Sequence, residues 1–201
     1  MADDKTRTIQ GGEENIVEFI FEAGALKRVP RSGWSVLGIK NPESVADHSF
    51  RCAVIGYLIA HMEKVSVYRV LLMTLFNDIH EARITDLHKM AQRYIDARSA
   101  EDASFEEQVG SLPEDILQEL SDVHEDYGAQ ESKESIVARD SDILECLIQA
   151  KEYYEHGHES SALLMKKAPE YLKTDSAKSL WQLAQTIDVN EWWVRISSFT
   201  R

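Results

Sequence analysis

Apolar residues recur at three- and four-residue intervals along almost the whole chain, while sustained two-residue alternation is missing. That periodicity places side chains on one face of an α-helix and not of a strand, so the expected fold class is all-α, a helical bundle. With 201 residues, 43% of them hydrophobic, the chain can bury one full core, and one domain is expected over 13–201. The polar opening segment 1–12 has no apolar centre and is expected to be a flexible tail, neither a secretory signal nor a transit peptide.

The same pattern sets the expected elements. A first helix is expected from Glu13 to Leu26, with Ile16, Phe19, Ile20 and Ala23 on its apolar face, before the loop Arg28-Val29-Pro30-Arg31-Ser32-Gly33-Trp34. Asn41-Pro42-Glu43 reads as N-cap, first-turn proline and first-turn acid of a long helix ending near His61. Val67 to Glu81 is apolar nearly all round and should be central, ending in Asn77-Asp78-Ile79-His80-Glu81. Shorter helices are expected over 85–112, then one opened by Pro113 to Tyr127 and one from Ser132 to His156. Segments beginning near Glu159 and Thr174-Asp175 and a final turn at Asn190 complete the chain.

Charge and cysteine content exclude several classes of function. The net charge of -13 comes entirely from residues 101–145, where fifteen acids face two bases; elsewhere acids and bases balance at 20 each. Nucleic-acid polymers need a basic face, so they are not expected partners. No run approaches the roughly 20 apolar residues of a membrane span. Two cysteines, Cys52 and Cys146, are too few for a disulfide scaffold and suit a reducing compartment, with the cytoplasm as the expected location.

The chemistry concentrates after the central helix. If that helix continued, Asn77 and Asp78 would share a face with Glu81, and two carboxylates ending an apolar stretch would need a cation or a hydrogen-bond network. His48 and Asp142, on other helices among apolar neighbours, could complete a site. Each also has a plainer reading. His48 could be a hydrogen-bonded core residue, Asp142 a surface acid beside Asp140, and Asp78 and Glu81 partners of Arg83.

Pro42-Glu43-Ser44-Val45-Ala46-Asp47-His48-Ser49-Phe50-Arg51 resembles the first signature of the HD-domain metallophosphohydrolases, in their 5'-deoxynucleotidase branch. Leu75-Phe76-Asn77-Asp78-Ile79-His80-Glu81-Ala82 resembles the family's His-Asp-x-x-Glu, and Thr85-Asp86-Leu87 its downstream Thr-Asp. Leu112-Pro113-Glu114-Asp115, Asp142-Ile143-Leu144-Glu145 and Gln149-Ala150-Lys151-Glu152-Tyr153 follow in the same order. The resemblance implies metal ligation by His48, Asn77, Asp78 and Asp142, with Asp140 a bystander. It implies Glu81 as catalytic acid or base, Asp86 near the sugar, Trp34 favouring a 2'-deoxyribose, and Arg31 and Arg51 as phosphate partners. The implied cofactor is a divalent metal, Mn, Co, Mg, Fe or Zn. The implied substrate is a nucleoside 5'-monophosphate, preferably deoxy, and the implied assembly a homodimer. Asn77 departs from the pattern. An amide oxygen is a harder and weaker donor than imidazole, so metal affinity should fall, with Mg, Ca or Mn favoured. His80 is a remote substitute as ligand. Two other readings stand beside this one: a catalytically silent nucleotide-binding or regulatory protein that has lost its metal through Asn77, and a phosphoesterase acting on cyclic or hyperphosphorylated nucleotides.

Overall fold

The computed structural model describes residues 4–197, with side chains from Gly12 onward. No strand occurs among them; the only β-type pairing described is an isolated bridge between Pro30 and Ser44. Helix α1 is Asp4–Ala23, so it begins before the expected Glu13, and Met1 to Asp3 of the expected tail lie outside the described residues. The expected apolar face of α1 is mostly right: Ile16, Phe19 and Ala23 pack on the core, but Ile20 is exposed. A 3-10 turn, Gly24–Arg28, leads to the short helix α2, Ser32–Val36.

Helix α3, Val45–Glu63, starts three residues later than the cap expected at Asn41-Pro42-Glu43. The reason is a capping box: Ser44 accepts the Asp47 backbone N–H at 3.1 Å, and the Asp47 carboxylate accepts that of Ser44 at 2.9 Å. The chain before it is extended, with Val45 N–H on the Val29 carbonyl at 2.8 Å and Arg31 N–H on the Glu43 carbonyl at 3.0 Å. These bonds tie the Arg31 loop to the mouth of α3.

Helix α4, Val67–Phe76, ends five residues before the expected Glu81. Residues 77–80 form a turn in which the Asp78 carbonyl accepts the Glu81 N–H at 3.0 Å, and α5, Glu81–Ile84, follows. Asp78 and Glu81 are therefore brought together by a turn rather than by one helix face. The remaining helices are α6 Ala97–Val109, α7 Glu114–Ala129, α8 Lys133–Glu155, α9 Ala162–Lys167, α10 Asp175–Ala184 and α11 Glu191–Ile196. Ser132 and Thr174 cap α8 and α10 through their hydroxyls.

Helices α3, α4 and α8 form the centre. Ile55, Ile59, Val70, Met73, Leu144 and Leu147 fill it, with Leu172 and Trp181 closing one side. Gly56 permits the close approach: a Cβ there would stand 3.0 Å from Val70 Cγ1 and 3.1 Å from Thr74 Cγ2. A second apolar cluster, of Leu26, Val29, Val45, Ile79, Phe105 and Val109, anchors the turn after α4. The polar residues at 48, 78 and 142 thus emerge between three packed helices.

Candidate active site

His48 is 1% exposed on the inner face of α3. Its Nε2 lies 3.2 Å from Asp142 Oδ1 on α8 and 3.5 Å from Asp78 Oδ2 in the turn after α4. Its Nδ1 bonds to Glu145 Oε2, one turn beyond Asp142. Burial and Arg31 push the imidazole pKa down, but the bonds to Asp142 and Glu145 overcome them and hold it well above the ordinary value. Burial would raise the Asp142 carboxyl; His48, Arg139 and Arg31 instead hold it well below the usual carboxylate range.

Three carboxylates around one imidazole call for a cation, and in the metal-free chain the imidazolium supplies it. The donor spacing fits a metal as well. Ligands at about 2.1 Å from a divalent ion stand about 3 to 3.4 Å apart, close to the separations of His48 Nε2 from Asp142 and Asp78. Among the described residues His48, Glu145 and Cys146 also bring donor atoms within 4.8 Å of one another. The His48–Asp78–Asp142 set is the better cradle, because Glu145 is bound to Arg51 and Cys146 Sγ accepts Arg31 Nη2 at 3.2 Å.

Asn77 donates its amide to Asp78 Oδ1 at 2.7 Å. His80 is buried, and its pKa is lowered by burial; the charges acting on it include Asp78, Glu101 and His124. Asp140 is the bystander expected: fully buried, it accepts the backbone N–H groups of Lys173 and Thr174 at 2.9 and 2.6 Å and so fixes the start of α10.

Glu81 is 7% exposed, and its Oε2 has no hydrogen-bond partner. Burial, with the charges of Asp78 and Asp86, raises its pKa to about 9, so it carries a proton at neutral pH. A buried acid without a partner, facing other carboxylates, is the signature of a proton-transfer group.

Arg31 Nη1 lies 4.0 Å from Asp78 Oδ2. Its loop is fastened by Asp86, which accepts the Ser32 backbone N–H at 2.6 Å. Thr85, just before Asp86, has φ 64° and ψ 167°, a conformation that costs a non-glycine residue about 1–3 kcal/mol. Trp34 is 3% exposed; its indole N–H donates to Glu43 Oε1 at 2.9 Å, and its ring meets Tyr153 edge-on at 5.1 Å. The indole therefore packs the loop onto the core, and contact with a sugar would require it to leave Glu43 and Tyr153. Arg51 is spent on Glu145 and Glu152, both at 2.8 Å, and on Gln149.

Two site residues escape the sequence reading. Arg139, one turn before Asp142, donates to Asp142 Oδ2 at 3.1 Å. Glu145 is fully buried, and its only sequence signal is a carboxylate inside the apolar run Ile143 to Ile148.

Fold and site together define a helical protein whose central three helices close around a histidine–carboxylate centre. The profile of the HD domain family matches residues 23–182. The human protein named 5'-deoxynucleotidase HDDC2 is 30% identical over 165 residues, covering 81% of this chain and 80% of that protein. The Bos taurus protein of that name is 34% identical over 144 residues, 71% of this chain and 69% of that one. A solved structure from Pyrococcus furiosus, described as a conserved hypothetical protein, superposes with a TM-score of 0.71 at 33% identity, covering 85% of this chain and 97% of that one. The chain belongs to the HD domain family.

Proposed function

We propose that the chain is a divalent-metal-dependent phosphomonoesterase that removes the 5'-phosphate of nucleoside 5'-monophosphates, 2'-deoxy substrates preferred. The observation that carries this reading is His48 Nε2 standing 3.2 Å from Asp142 and 3.5 Å from Asp78, beside the unpartnered Glu81 carboxyl and the Arg31 guanidinium. The similarity to proteins named 5'-deoxynucleotidase supports the substrate class. The silent alternative is not favoured, because His48, Asp78 and Asp142 remain together and Asn77 leans on Asp78 without displacing it.

His48, Asp78 and Asp142 would hold the ion, with Asn77 next to them. One imidazole among carboxylate oxygens suits Mn or Mg better than softer ions. When bound, such an ion neutralises phosphate oxygens and makes a water more acidic. Arg31 binds the phosphate oxygens facing its loop. Glu81, protonated before reaction, gives its proton to the leaving 5'-oxygen and takes one from the attacking water on the return. Asp86 keeps the Arg31 loop in place and, through it, the wall against which the sugar lies.

The assembly proposed is a homodimer, supported by the exposed row Phe50, Val54, Tyr57, Leu58 and Met62 on α3. Both cysteines are free, in keeping with the proposed cytoplasmic location, and no helix among the described residues is long and apolar enough to cross a membrane. The test is phosphate release from a panel of deoxy- and ribonucleoside 5'-monophosphates, 3'-monophosphates and cyclic nucleotides, with Mn or Mg added. Release from the 5'-deoxy compounds first, abolished by Glu81→Gln, is expected. Release only from cyclic or hyperphosphorylated nucleotides, or none, would refute it.

A further inference from the structure

Two polar positions on α3 face four on α8 across the most apolar part of the molecule. His48 and Arg51 are one turn apart on α3. Asp142, Glu145, Gln149 and Glu152 follow at spacings of three, four and three residues on α8, the repeat that keeps side chains on one seam. The contacts run rung by rung. His48 meets Asp142 through Nε2 and Glu145 through Nδ1. Arg51 Nε and Nη2 meet Glu145 Oε1 at 2.9 and 2.8 Å, its Nη1 meets both Glu152 oxygens at 2.8 Å, and Nη2 also reaches Gln149.

Glu145 has no exposure at all, and both of its oxygens are occupied. A buried ion pair of this kind gains little stability over apolar packing of the same volume, because desolvation cancels most of the attraction. Its geometry, however, does something packing could not. A carboxylate at Nδ1 keeps a proton on that nitrogen and leaves the other one, Nε2, to face Asp78 and Asp142 as a donor.

We propose that Glu145 is a positioning residue that locks the His48 ring in orientation and tautomer for the metal, and that Arg51 neutralises Glu145 instead of binding substrate phosphate. This rests on the metal site proposed above. Arg51 has its donors directed into α8, and a phosphate could recruit it only by displacing Glu152, whereas Arg31 already stands at the site with Asp78.

The test combines Mn2+ titration calorimetry with ring-15N NMR of His48, using Zn2+ as the diamagnetic probe, on the wild type, Glu145→Gln and Arg51→Gln. In the wild type Zn2+ should shift Nε2 while Nδ1 remains protonated. Glu145→Gln should bind Mn2+ about 10- to 100-fold more weakly and show both tautomers in the metal-free ring, while still unfolding cooperatively. Arg51→Gln should weaken Mn2+ binding and leave the KM for nucleotide nearly unchanged. Undiminished Mn2+ affinity with a single tautomer in Glu145→Gln would overturn the proposal, as would a Zn2+ shift at Nδ1, which would make Glu145 a ligand. An Arg51→Gln protein with normal metal affinity and a raised KM would return Arg51 to the phosphate. A wild type that bound neither ion would remove the metal site itself, and this inference with it.

Discussion

Asp86 accepts the backbone N–H of Ser32 at 2.6 Å, across fifty-four residues of sequence. The bond satisfies one of the free amides at the start of α2 and pins the loop that carries Arg31 and Trp34. Asp86→Ala should cost about 1 kcal/mol, the scale of a lost N-cap, and should raise the KM for nucleotide more than it lowers kcat. Asp86→Asn keeps an acceptor oxygen and should recover most of both. Thermal melts and steady-state kinetics of the two variants decide this. An Asp86→Ala protein with wild-type KM and a collapsed kcat would make Asp86 a proton-transfer group instead.

Asn77 stands where a histidine is expected from the family pattern. Because the three other donors are already in place, Asn77→His should add a ligand without rebuilding the turn. Zn2+ or Co2+ affinity should rise by at least about tenfold, following the better fit of imidazole to those ions, with a smaller gain for Mg2+. Calorimetric titration of each ion checks it; equal affinities in both proteins would place residue 77 outside the coordination sphere.

The Glu81 carboxyl, raised to about 9 from an ordinary value of 4.5, ties stability to pH in the metal-free chain. The folded state keeps this proton where the unfolded state gives it up. Its contribution is therefore fully present below about pH 4.5 and is lost as pH rises through about 9, by at most about 1.4 kcal/mol per pH unit. Glu81→Gln has no proton to lose. With chelator present, its advantage in melting temperature over the wild type should widen steadily from pH 5 to pH 9. A constant difference across that range would mean that Glu81 is ionised throughout.

The exposed apolar row of α3 bears on assembly. Leu58 is 51% exposed and Val54 45% exposed, so a charge at either should leave the fold intact. Light scattering after gel filtration should show the wild type as a dimer and Val54→Glu with Leu58→Glu as a monomer of unchanged helicity. A wild-type monomer would contradict the dimer.

Much of this was legible in sequence because it depends on local chemistry. The central helices follow from apolar spacing, and the caps Ser132 and Thr174 and the bystander role of Asp140 agree with simple pattern reading. The start of α3 was misplaced because Ser44 and Asp47 form a capping box that outcompetes Asn41 and Pro42. The end of α4 was misplaced because the turn at 77–80 has no proline or glycine to mark it. The fates of Arg51, Trp34 and Glu145 were not legible at all. Each depends on which side chain of another helix lies opposite, and no periodicity along one segment carries that information.

The most direct measurement of the central claim is anomalous diffraction from crystals of Glu81→Gln grown with Mn2+ and a deoxynucleoside 5'-monophosphate. The account predicts one strong peak among His48 Nε2, Asp78 and Asp142, with the phosphate on it and Arg31 against the phosphate. A peak at Nδ1 between Glu145 and Cys146, or nucleotide density without any metal peak, would contradict it.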